Sequence, residues 1–136
     1  MLAQARAGLT RLSPSQAWSA ASQADSFIVD TRPAAQRRAG EVPGAIIIER
    51  NQLEWRLDPQ CEARIPEAEH ADIRWIILCD EGYSSSLAAR SLHDLGLSRS
   101  TDVIGGFQAW LGAGTPIIVR ESLTPPRGPG EGPREA

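Results

Sequence analysis

The chain contains no lysine; all 14 basic residues are arginine. That removes Schiff-base chemistry and a phosphate-loop lysine from consideration. Only two cysteines are present, Cys61 and Cys79, too few for a disulfide-built scaffold, and no Cys/His group has zinc-ligand spacing. Aromatic residues make up 5%. No apolar run approaches the 18 or so residues of a membrane span; stretches such as Trp75–Cys79 are strand-sized. Residues Met1 to Thr10 hold no continuous apolar segment with a cleavage pattern behind it, so the expectation is a cytoplasmic protein without a leader peptide. A net charge of −3 argues against nucleic acid or an anionic membrane as partner.

What is there suits one soluble domain. The 136 residues are 41% hydrophobic and 23% charged, enough to build a core without staples. Ser13-Pro14-Ser15-Gln16 reads as a capped helix start, with Ala17, Trp18 and Ala21 facing inward. Ser26–Asp30, Ala45–Ile48, Trp75–Leu78 and Thr101–Ile104 read as short buried strands. Between them, helices are expected at 33–39, around Asn51–Arg56, at 84–95 and from Gly105-Gly106 through Trp110. Residues 1–8 form an N-terminal extension, residues 9–119 the domain, and the Pro/Gly-rich 120–136 a disordered tail. Apolar strands alternating with helices predict a parallel sheet covered on both faces, with the site beyond the carboxyl ends of its strands.

One segment carries chemistry. After the strand Trp75–Leu78 come Cys79-Asp80-Glu81-Gly82-Tyr83-Ser84-Ser85-Ser86 and then a helix. A cysteine at a strand tip, before a Gly-containing loop and a helix N-terminus, is placed where backbone amides converge on sulfur and favour its anion, the nucleophilic form. The same layout also fits a small hydrophobe closing a strand.

This loop resembles the active-site loop of the rhodanese family, sulfurtransferases that carry sulfur as a cysteine persulfide. Two more stretches are similar to the family's flanking patterns: Ile28-Val29-Asp30-Thr31-Arg32 with Gly40-Glu41-Val42-Pro43-Gly44-Ala45, and Val103-Ile104-Gly105-Gly106-Phe107-Gln108-Ala109-Trp110. The resemblance covers roughly Leu9 to Val119. It implies a three-layer α/β domain with a central, mainly parallel five-stranded sheet. It implies Cys79 as nucleophile, taking sulfur from a donor such as thiosulfate and passing it to a thiol or cyanide, with no metal and no organic cofactor. The partners it implies are a small sulfur donor and a thiol acceptor, with a protein thiol as one option. Amides of Asp80, Glu81, Gly82, Tyr83, Ser84 and Ser85 would hold the persulfide, and the hydroxyls of Ser84 and Ser85 would add hydrogen bonds.

Departures from the pattern carry information. Glu41 stands where the family usually has histidine, and Asp80 and Glu81 stand where many relatives have basic residues. A carboxylate about 6 Å from the sulfur and facing water costs about 0.7 kcal/mol. Amides and a helix terminus contribute up to about 2 kcal/mol the other way. The anion therefore survives while thiosulfate capture weakens. Arg50 and Arg56 are the nearest counterweights; Arg50 is the candidate donor-binding charge, or else the partner of Glu49 or Glu54 or a solvated surface arginine. Asp30 and Arg32 read as a structural pair anchoring the loops, and Trp110 as core. Tyr83 either gates the pocket or covers the loop. Cys61 reads as an incidental thiol. A phosphatase would need an arginine six positions after the cysteine, where Ser85 stands. The alternative left open is a non-catalytic rhodanese-like binding or regulatory module.

Overall fold

The computed structural model describes residues 1–119; the tail expected at 120–136 lies outside them. Helix α1 (Leu2–Arg6) is followed by α2 (Pro14–Ala20), β1 (Ser26–Asp30), α3 (Ala34–Arg37) and β2 (Ile46–Ile47). A 3-10 turn at Arg50–Gln52 leads into α4 (Leu53–Leu57), then β3 (Arg74–Leu78), α5 (Ser84–Asp94), β4 (Thr101–Asp102) and α6 (Gly106–Gly112).

The strands form one sheet in the order β2-β1-β3-β4, and every pairing is parallel. Side chains alternate across it, as the pleat requires. Val29, Trp75 and Ile77 face a cluster with Leu53, Leu57, Ala88 and Leu92 from α4 and α5. Ile28, Ile76 and Leu78 face a cluster with Ala17, Phe107 and Trp110 from α2 and α6. The three layers are therefore those expected, and both faces of β3 are buried.

The sheet has four strands rather than the expected five. A fifth position is reduced to a single parallel bridge between Leu12 and Val103, because Ser13 at once turns into the cap of α2. That cap is the expected box: the Ser13 hydroxyl accepts from the Gln16 amide at 3.2 Å, and the Gln16 side chain accepts from the Ser13 amide at 2.9 Å. The strand expected at 45–48 pairs only through Ile46–Ile47 at the sheet edge. The strand expected at 101–104 closes after Asp102.

One side chain departs from its expected place. Trp18 is 36% exposed, its ring set edge-on to Trp110 at 6.1 Å, while Pro14, Ala17 and Ala20 form the buried face of α2. Residues 1–8, set apart as an extension, carry α1, whose Ala5 is buried and whose Ala7 carbonyl accepts from the Arg90 guanidinium of α5 at 2.9 Å. Trp110 is fully buried as expected, its indole N–H donating to the Pro116 carbonyl at 2.8 Å. Among the described residues no helix is long and apolar enough to cross a membrane.

Candidate active site

Cys79 follows the last residue of β3 at the carboxyl edge of the sheet, and it is 5% exposed. Its sulfur accepts two amide hydrogens, from Gly82 at 3.1 Å and from Ser85 at 3.3 Å. The chain thus curls around Sγ so that the loop and the first turn of α5 both aim N–H groups at it. Backbone donors arranged this way stabilise negative charge on sulfur. The amides of Tyr83 and Ser84 have no hydrogen-bond partner among the described residues.

The curl is held from α6. The amide of Phe107 donates to the Cys79 carbonyl at 2.8 Å, and the amide of Gln108 donates to the Asp80 carbonyl at 3.0 Å. Gly106 must be glycine for this approach, since a β-carbon there would lie 2.6 Å from the Cys79 carbonyl oxygen. The Gln108 side chain also donates to the Asp80 carboxylate at 3.1 Å.

A second set of contacts lies behind the loop. Asp102, fully buried at the end of β4, accepts the hydroxyls of Ser85 and Ser86, each at 2.8 Å. It also takes both guanidinium arms of Arg11, at 2.8 and 3.2 Å. Arg6 donates to the Gly82 carbonyl at 2.9 Å and to the Ser86 hydroxyl at 2.9 Å. Arg11 reaches the same carbonyl at 3.4 Å.

In front of the sulfur is a hollow of about 240 Å³ lined by Thr31, Arg32, Pro33, Gln36, Cys79, Asp80, Glu81, Tyr83 and Ser84. Arg32 is fully engaged there. It forms a fork with the Asp30 carboxylate at 2.8 and 3.0 Å, donates to the carbonyls of Gln36 and Gly40, and stacks 3.9 Å from the Phe107 ring centre. Asp30 and Arg32 are both buried, as a structural pair would be. Tyr83 is 59% exposed on the rim.

Of the expected site residues, Cys79, Asp80, Glu81, Tyr83 and Ser84 line this hollow, while Gly82 lies buried behind it with its amide on the sulfur. Two expectations change. The Ser85 hydroxyl is turned onto Asp102, so Ser85 serves the sulfur through its amide and not through its side chain. Arg50 does not line the hollow and instead pairs with Glu54 at 2.9 Å. Burial pushes the Glu54 carboxyl up, but hydrogen bonds from Ser91 and Arg50 outweigh it and hold Glu54 below the ordinary glutamate range. Glu41, in the position usual for histidine, is buried against Arg37 at 3.3 Å.

Arg6, Arg11, Ser86 and Asp102 were not foreseen. Only Asp102 carried a signal, an acid inside an otherwise apolar strand; the arginines act across more than 70 positions of sequence.

A parallel α/β sheet that presents a cysteine sulfur to a cradle of loop amides defines a cysteine-loop domain. Residues 13–113 match the family model of the rhodanese-like domain, and the chain belongs to that family. Thiosulfate sulfurtransferase GlpE of Actinobacillus succinogenes is 26% identical over 116 residues, which is 85% of this chain and 96% of that protein. Adenylyltransferase and sulfurtransferase MOCS3-2 of Zea mays is 32% identical over 84 residues, 62% of this chain but only 17% of that longer protein.

Among solved structures, a Rhodopseudomonas palustris protein described as a possible tyrosine phosphatase superposes with a TM-score of 0.77 at 34% identity, covering 86% of this chain and 90% of that one. The polysulfide-sulfur transferase homodimer of Wolinella succinogenes gives 0.71 at 21% identity, covering 88% and 85%, a likeness of fold.

Proposed function

We propose that the chain is a sulfurtransferase that carries sulfane sulfur as a persulfide on Cys79. The observation that carries this reading is the pair of amide hydrogens directed at Sγ from Gly82 and Ser85. The amides of Tyr83 and Ser84, without a partner among the described residues, are the next donors along the same loop, suited to the outer sulfur of a persulfide. In the first step the Cys79 thiolate attacks the outer sulfur of a donor. The bond to the donor breaks and its electron pair leaves with it, as sulfite when the donor is thiosulfate. In the second step an acceptor thiolate attacks the outer sulfur of the persulfide, and Cys79 departs as thiolate. No electrons are gained or lost overall and no cofactor enters, so ping-pong kinetics are expected.

Asp80 and Glu81 line the hollow, and among the described residues the one arginine lining it, Arg32, is committed to Asp30. A dianionic donor is therefore disfavoured, and donors of lower charge suit the mouth better. The phosphatase reading, raised by the description of the Rhodopseudomonas palustris protein, lacks a guanidinium in the loop. The sixth residue after Cys79 is Ser85, whose hydroxyl is held by a buried carboxylate.

The test is intact-mass spectrometry after exposure to thiosulfate, mercaptopyruvate or a small persulfide. One added sulfur on Cys79, absent in Cys79→Ser and discharged by an acceptor thiol, is the expected result. A wild-type protein that takes up no sulfur from any of the three makes the domain a non-catalytic module instead.

A further inference from the structure

The loop that cradles Cys79 is held at its midpoint by two arginines that precede residues 13–113, the stretch matched by the family model. We propose that Arg6 and Arg11 are positioning residues for the reaction at Cys79, acting through the Gly82 carbonyl to fix the loop amides on the sulfur; this rests on Cys79 being the reacting sulfur.

The geometry runs through one residue. Gly82 offers its N–H to Sγ at 3.1 Å and its carbonyl to the Arg6 guanidinium at 2.9 Å. It is buried with φ +88°, so neither group has bulk water as an alternative partner. The carbonyl of a trans peptide points opposite to the N–H of the same unit. Drawing the Gly82 oxygen back onto Arg6 and Arg11 therefore turns the Tyr83 N–H the other way. A guanidinium on the oxygen also polarises that peptide and strengthens its N–H as a donor.

The two arginines differ in their second duty. Arg6 bridges to the Ser86 hydroxyl at 2.9 Å, one turn into α5. Arg11 neutralises Asp102, which in turn holds Ser85, the second amide donor to Sγ. Both amides that reach the sulfur are thus tied, through one intermediate group each, to the N-terminal segment. Neither arginine lines the hollow, so neither touches the donor.

The experiment uses the full chain with Arg6→Met, Arg6→Lys and Arg90→Gln. Arg11 is avoided because its loss strands the buried Asp102. Arg90→Gln is the control: it loosens the seat of α1 at the Ala7 carbonyl without touching the loop. Iodoacetamide labelling is followed peptide by peptide, with Cys61 as the internal reference. Expected is a fall in the Cys79-to-Cys61 rate ratio of about tenfold in Arg6→Met, partly restored in Arg6→Lys and unchanged in Arg90→Gln.

A mere brace predicts the opposite sign, since freeing the loop opens a sulfur that is 5% exposed and speeds its labelling. A ratio that rises or stays level in Arg6→Met overturns the proposal, as does an equal fall in Arg90→Gln. In sulfur loading, the turnover number should fall while the donor KM holds; a loss in KM alone would make Arg6 a donor-binding charge and refute positioning. Should wild-type Cys79 take no sulfur, the sulfurtransferase reading fails, yet the labelling ratios still decide the role of Arg6.

Discussion

Gly82 and Gly105 face one another so closely that a β-carbon on Gly82 would lie 2.7 Å from the Gly105 backbone nitrogen. The loop around Cys79 is therefore pressed onto the start of α6, and Gly82 also sits at φ +88°, which costs an L-residue roughly 1–2 kcal/mol. Gly82→Ala must shift the loop. Its sulfur loading, followed by single-turnover mass analysis, is expected to fall about a hundredfold, the usual cost of misplacing a reacting group by an ångström.

Charge at the mouth sets donor preference. Asp80→Arg and Glu81→Lys are each expected to raise kcat/KM for thiosulfate by about tenfold, from Coulomb attraction on a dianion a few ångströms away. The gain should shrink as salt is raised from 10 mM-scale buffers toward about 1 M, where the Debye length falls to about 3 Å. An unchanged thiosulfate rate constant in both variants would reject the electrostatic argument.

The Asp30–Arg32 pair is a matter of stability. Their side chains are 1% and 0% exposed, and the guanidinium lies against Phe107. Removing Asp30 alone leaves a buried cation, so Asp30→Ala is expected to lose about 3–5 kcal/mol in urea unfolding. Replacing both with apolar residues should cost less than the single change, which a double-mutant cycle reads directly.

Acid should loosen the tie between α4 and α5. Ser91 donates to the Glu54 carboxylate at 2.6 Å and Arg50 donates at 2.9 Å. Because the folded Glu54 holds its proton less readily than the unfolded chain, the carboxylate stabilises the fold above its ordinary value of 4.5. That contribution is lost as pH falls through 4.5 toward the depressed folded value. Thermal melts of wild type and Glu54→Gln should converge over this range, with the variant the flatter of the two.

The layered fold was legible because its cause is local. Apolar runs such as Trp75–Leu78 are buried on both faces, and the capping residues Ser13 and Gln16 act within one turn. The cysteine loop was legible for the same reason: strand tip, glycine and helix start are consecutive. Strand lengths were not, because pairing at the sheet edge depends on partners elsewhere in the chain; Ala45–Ile48 has three isoleucines and still pairs through two. Trp18 looked like core by spacing, but the small Ala17 and Ala20 fit the α2–sheet gap and leave the indole at the boundary. Arg50 looked like a counter-charge until Glu54, four residues on, claimed it. The network of Arg6, Arg11, Ser85, Ser86 and Asp102 joins residues up to 91 positions apart and leaves no periodic trace.

The bonds from Phe107 and Gln108 to the carbonyls of residues 79 and 80 divide labour within the loop. The first two carbonyls of the loop are consumed on the α6 side. Its main chain therefore turns amide donors toward the sulfur whatever side chains follow the cysteine, while the acceptors at the mouth are the carboxylates of Asp80 and Glu81. Holding the anion is a property of the main chain, and discrimination among incoming molecules is left to the side chains at 80 and 81. The two can be re-engineered apart: a new clientele through surface charge, with the cradle untouched.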